Sequence, residues 1–155
     1  MTNINNSGSN GSGDGTDELS RHIGIRIDRT VDDVYAYASN PANLPAWARG
    51  LGDSIERIGD EWVAESSLLG RVVVTFAPRN ALGVLDHDVT LPTGETVHNP
   101  LRVINDGTGS GSEVVFTLRR QPGMSDADFE RDAGMVAADL TRLKELLESA
   151  VGRQR

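Results

Sequence analysis

Three histidines, His22, His87 and His98, are the only side chains in the sequence that ordinarily titrate near neutrality, and there is no cysteine. Disulfides, thiolate metal sites and cysteine nucleophiles are excluded together. None of the histidines stands at a helical or strand spacing from a second ligand type that would assemble a metal site. Asp86 and Asp88 flank His87 on a segment of strand character, so their side chains leave on the face opposite the imidazole. That spacing disfavours an Asp-His dyad within the triplet. No G-x-S-x-G elbow occurs. Gly107-Thr108-Gly109-Ser110-Gly111 has the flavour of a dinucleotide loop, but a strand follows it where phosphate binding needs a helix N-terminus, so it reads as a hairpin loop. The sequence thus leads us to expect no catalytic residue, no metal and no cofactor.

What His87 faces is decided by the turn around Gly94. Leu91-Pro92-Thr93-Gly94 puts Pro second and Gly fourth, which suits a type I turn followed by a left-handed glycine bulge. That register pairs Leu91 with Glu95, Val89 with Val97, His87 with Asn99 and Leu85 with Leu101. One face then holds Leu85, Val89, Val97, Leu101 and Val103, interrupted by His87 opposite Asn99. The other carries Asp86, Asp88, His98 and Arg102. A two-residue loop without the bulge would slip the register by one and bring Arg102 beside His87. A His-Asn pair on an apolar face has two readings: a mutually satisfied core pair, or the few polar contacts that orient a mostly apolar ligand.

The elements that position this hairpin follow from periodicity. Residues 1–17, almost wholly Asn, Ser, Gly and Thr, are expected to form a disordered tail, with one domain over residues 18–152. Ile23, Ile25 and Ile27 alternate with polar residues or glycine in a strand over Arg21–Asp28. Thr30 caps a short helix carrying Val31, Val34, Tyr35 and Ala38, which stops before Asn40-Pro41. Tyr35 and Tyr37 lie on different faces of it, so at most one is expected to face inward. Ala42–Ala48 is a second helical piece with Leu44 and Trp47, ended by Gly50 and Gly52. Six strands follow: Ser54–Ile58, Glu61–Ser66, Arg71–Ala77, Gly83–Leu91, Thr96–Asn105 and Glu113–Arg120. Val72, Val74 and Phe76, with Val114, Phe116 and Leu118, complete an inner wall. Ser125 caps a last helix from Asp126 to about Ala150, whose stripe is Phe129, Ala133, Val136, Leu140, Leu143 and Leu147. Asp139, Arg142, Lys144, Glu145 and Glu148 fall off that stripe. The order is an α+β plan.

The balance of 15 basic against 23 acidic residues gives a net charge of -8, which repels phosphate backbones and anionic membranes. Nucleic acid is therefore not the expected partner. No apolar run reaches the roughly 20 residues that span a bilayer, so no integral membrane segment is expected, and the N-terminus lacks the pattern of a secretory signal. The expected location is cytoplasmic. Nothing in the pattern specifies an oligomeric state.

The stretch IRIDRTVDDVYAYASNPANLPAWARGL resembles the opening of the SRPBCC (START-like, Bet v 1-like) superfamily. The stretch LDHDVTLPTGETVHNPLRVINDGTGSGSEVVFTLRRQPGMSDADFERDAGMVAADLTRLKELL resembles members of the polyketide cyclase/dehydrase and lipid-transport type. The resemblance implies a helix-grip fold: a curved antiparallel seven-stranded sheet, two short helices, and a long C-terminal helix closing a cavity against the sheet. It places Trp47 at the cavity mouth. Three functions fit: binding or carriage of a lipid, isoprenoid or polyketide-like molecule; a cyclase or dehydratase using His87 as acid or base; and a module that binds another protein. The scarcity of ionisable groups at inner positions favours the first. The expected ligand contacts are Trp47, Phe76, His87, Asn99, Phe116 and Val136.

Overall fold

The computed structural model describes residues 19–151; the expected tail over residues 1–17 lies outside the described residues. The first strand, β1 (Ser20–Ile27), has the expected alternation, with Ile27 fully buried and His22, Gly24 and Arg26 exposed. Thr30 caps α1 (Val31–Ala38), its hydroxyl accepting the Asp33 N–H at 3.2 Å. Tyr35 and Tyr37 are both half-buried, where at most one was expected to face inward. The Tyr35 hydroxyl accepts the Asn80 N–H at 2.9 Å, which anchors the connection between the fourth and fifth strands. The second helical piece is a short α2 (Leu44–Trp47) between single 3-10 turns at Pro41–Asn43 and Arg49–Leu51.

The remaining strands are β2 (Ser54–Ile58), β3 (Glu61–Ser66), β4 (Gly70–Phe76), β5 (His87–Thr90), β6 (Thr96–Asn99), β7 (Leu101–Asn105) and β8 (Ser112–Arg119). All pair antiparallel, in the orders β1-β8-β7 and β2-β3-β4-β5-β6. Among the described residues there are eight strands, not the expected seven, because Pro100 divides the strand read over 96–105. Proline has no N–H to give a ladder. The stretch read as one strand over 83–91 likewise joins a ladder only from His87.

The two ladders meet at this break. Val84 bridges Arg102, the Leu85 N–H donates to the Leu101 carbonyl at 2.8 Å, and the Thr117 N–H donates to the Pro100 carbonyl at 3.0 Å. Gly83 makes the approach possible: its φ is +72°, and a Cβ there would lie 2.1 Å from the Val103 oxygen. The Leu101 N–H, turned out of the ladder, is taken by the Asp86 carboxylate at 2.9 Å. The same carboxylate receives a two-pronged contact from Arg102, at 2.9 and 2.7 Å.

The C-terminal helix, α3 (Asp126–Val151), starts at Ser125, whose hydroxyl accepts the Asp128 N–H at 3.1 Å. Its stripe is as read: Phe129, Ala133, Leu140, Leu143 and Leu147 are buried and Val136 half-buried. Leu140, Leu143 and Leu147 join Ile27, Val34, Leu85, Leu101, Val103 and Val114 in the core. Each such leucine contributes roughly 1.5–3 kcal/mol of burial. The far end is held differently, with Arg21 and Arg120 stacked 5.0 and 5.6 Å from the Phe129 ring. No helix among the described residues is long and apolar enough to cross a membrane.

Asp86 gives the break a pH signature. Arg102 holds its carboxyl below the ordinary carboxylate range, with a further pull from the Leu101 N–H and opposition from burial. A lowered folded-state pKa stabilises fully above the unfolded value of about 3.9 and is lost as pH falls through the folded value. Urea melts of Asp86→Ala should show a loss of about 1–3 kcal/mol at pH 7, the cost of an unpaired buried N–H plus the ion contact. The gap to wild type should narrow below about pH 4. A gap that is constant down to pH 3 would show that the carboxylate charge does not matter there.

Candidate ligand cavity

A cavity of about 500 Å³ lies between the sheet, α2 and the middle of α3. Its walls come from α2, the β5–β6 hairpin, β8 and α3. Most of the lining is apolar, with Leu44 and Trp47 at one side, Val89, Leu101 and Phe116 on the sheet, and Leu140 on the helix. Leu68 and Leu69, on the β3–β4 turn, stand at its edge with Met135 and are 69%, 42% and 37% exposed.

The hairpin register is the one expected from Pro92 and Gly94. The Leu91 N–H donates to Glu95, Val89 pairs Val97, and His87 pairs Asn99. His87 and Asn99 both line the cavity, and His98 is also among the lining residues, its Nδ1 2.6 Å from the Asp88 carboxylate, while Arg102 pairs with Asp86. Within the triplet, His87 bonds to neither aspartate among the described residues. His87 and Asn99 do not bond to each other either. Asn99 donates to the Val97 carbonyl at 3.2 Å. His87 is 7% exposed, and its Nδ1 lies 3.1 Å from the Leu85 carbonyl. A carbonyl only accepts, so Nδ1 carries the hydrogen and Nε2 presents a lone pair. Burial pushes the imidazole pKa down, with a smaller upward pull from the Leu85 carbonyl, so the ring is neutral at neutral pH.

Trp47, His87, Asn99, Phe116 and Val136, five of the expected contacts, are brought together on the cavity wall. Phe76 is not among the lining residues. It pairs with His87 across the ladder, and its ring packs on the imidazole at 5.1 Å and 32°, with Phe116 on another side at 6.3 Å. Phe76 orients the group that faces the cavity. Trp47 is 4% exposed, and its indole N–H is sealed with no partner.

The expected scarcity of ionisable groups does not hold at the edges. Arg119, Arg131, Asp132 and Asp139 also line the cavity, because it is wider than the apolar stripe of α3. Burial pushes the carboxyls of Asp132 and Asp139 up from their ordinary range. Asp139 is paired with Arg142, which also donates to the Trp47 carbonyl at 3.3 Å and so fastens α2 to α3. Among the described residues no group of three or more His, Asp or Glu could hold a metal ion.

The edge depends on a residue that sequence reading passed over. Ser66 is buried; its hydroxyl donates to the Gly50 carbonyl at 3.0 Å and accepts the N–H groups of Leu68 and Leu69 at 3.2 and 3.0 Å. Beside it Gly52, at φ +135°, lies so close to β3 that a Cβ would meet the Glu65 oxygen at 2.3 Å.

No family model matches the chain, and no curated protein matches it in sequence. Solved structures do match in shape. An uncharacterised protein from Bacillus thuringiensis superposes with a TM-score of 0.65 at 12% identity, over 83% of this chain and 98% of that one. Norcoclaurine synthase from Thalictrum flavum, bound to a transition-state analogue, gives 0.57 at 15% identity, over 84% and 94%. DynU16, from the dynemicin biosynthetic locus, gives 0.63 at 12% identity, over 86% of this chain and 48% of its own. The chain has the Bet v 1-like helix-grip fold. In this helix-grip chain the grip is made at the two ends of α3, and the cavity occupies the gap between them.

Ser66→Ala removes three hydrogen bonds at the edge of the grip without touching the lining. We expect a loss of about 1–3 kcal/mol and faster amide exchange at Leu68 and Leu69. Unchanged exchange at those two amides would show that the turn is held by something else.

Proposed function

We propose that this protein binds and carries a hydrophobic small molecule, of lipid, isoprenoid or polyketide-like character, in the cavity between sheet and α3. The observation that carries the reading is the space itself. About 500 Å³ bounded by largely apolar walls lies beside a contiguous hydrophobic core. That size lies within the roughly 300–1,000 Å³ of small-molecule sites. A handful of polar groups on the wall suits orientation of a mostly apolar cargo. The net charge of -8 fits a cytoplasmic carrier that stays off anionic membranes and nucleic acid.

Carriage is favoured over cyclase or dehydratase chemistry by the state of His87. Its Nδ1 bonds a main-chain carbonyl and not a carboxylate, so no Asp–His pair is in place to stabilise an imidazolium during proton transfer. The fold shared with norcoclaurine synthase and with a protein of the dynemicin locus supports a pocket of this kind.

N-phenyl-1-naphthylamine, an uncharged dye that brightens in apolar surroundings, should bind at one molecule per chain. Val136→Trp, which sets an indole into the cavity from α3, should keep the circular dichroism of wild type and lose at least tenfold in dye affinity, about 1.4 kcal/mol. Equal dye binding by a folded Val136→Trp protein rules the cavity out as the site.

A further inference from the structure

We propose that His87 makes the cavity selective for cargo whose buried end carries a hydrogen-bond donor: a hydroxyl, a phenol or an N–H. The inference rests on the cavity being a ligand site, and adds which chemistry it accepts.

The Leu85 carbonyl fixes the hydrogen on Nδ1, so Nε2 is an acceptor. Nε2 bonds to no protein atom among the described residues. Nor is it a sealed orphan: the sealed, unpartnered side-chain atoms are the Trp47 indole nitrogen and the Ser112 hydroxyl. The ring lines the cavity and is almost wholly buried, so the space left to Nε2 is the cavity. Phe76 and Phe116 clamp the imidazole on two sides, which holds the lone pair in a fixed direction. Asn99 is neutral in this respect: one amide N–H goes to Val97, and its second N–H and its carbonyl oxygen are both without a protein partner among the described residues, so the acceptor bias rests on His87.

An acceptor in an apolar cavity discriminates sharply. A cargo hydroxyl satisfies it, while an ether or ketone oxygen brings lone pair against lone pair, and a hydrocarbon leaves it bare. Sites that bond a substrate hydroxyl reject analogues lacking it far better than apolar pockets reject a methylene. For one preformed bond the expected preference is about 10- to 100-fold.

The test is displacement of N-phenyl-1-naphthylamine by 2-naphthol, 2-methoxynaphthalene and naphthalene, three probes of one shape. Wild type should bind 2-naphthol at least tenfold more tightly than either partner. His87→Phe should bind all three alike, with naphthalene affinity kept or raised. A spectroscopic readout stands beside this on the wild-type protein, independent of whether the variant folds. In long-range proton–nitrogen spectra the Nε2 resonance should move on adding 2-naphthol and stay put on adding naphthalene. If dye and probes bind but 2-naphthol has no advantage, or Nε2 does not respond, selection by His87 is wrong and the carrier reading stands. If neither dye nor probes bind, the carrier reading falls and takes this inference with it.

Discussion

A single apolar stripe on α3 has to leave water, and the sheet receives it chiefly at its ends. Toward the C-terminus Leu140, Leu143 and Leu147 enter the core, while Phe129 is gripped near the start by two guanidinium groups. Between them Asp132, Met135, Val136 and Asp139 face the cavity from the helix. On the other side α2 is fastened to α3 by the Arg142 contact with the Trp47 carbonyl, so Trp47 is held in the cavity wall. Well-packed interiors leave few voids larger than a water molecule, so one of this size is a feature the fold maintains.

The polar group in that void is costly and closely controlled. A buried imidazole gives up hydration, and one bond to Leu85 restores only part of it. Two aromatic rings fix its plane, and its tautomer is set by the main-chain carbonyl of Leu85, two residues ahead of it in the connection that leads into β5. On the opposite face of the hairpin Arg102 is paired with Asp86, and His98 is hydrogen-bonded to Asp88.

Much of this was legible because strands and helices have different periods. The Ile23, Ile25, Ile27 alternation and the Phe129 to Leu147 stripe each mark one buried side, and Pro92 with Gly94 sets the register that brings His87 opposite Asn99. The strand division at Pro100 was present in the sequence as a missing donor, and strand periodicity running through it hid the signal. Phe76 was read as wall because its side of the strand is right; that His87 stands in front of it depends on pairing across an irregular connection. The acids on α3 and the triple role of Ser66 are matters of tertiary approach. A stripe shows which side of a helix is buried but not how wide the neighbouring gap is, and a serine closing a strand beside a second serine gives no sign of which hydroxyl turns inward.

The pairing of β1 with β8 joins Ser20 to Arg119, so two neighbouring strands of the smaller ladder come from positions about a hundred residues apart. Contacts so distant in sequence close late, since the entropy of the intervening loop has to be overcome first. During synthesis the β2–β6 meander can zip from neighbour to neighbour while β1 waits, its isoleucines uncovered until β8 and α3 emerge. The cavity has its α3 wall only once that helix, the last element synthesised, has docked. On the carrier reading, an apolar molecule present at that stage would form part of the surface on which the helix settles.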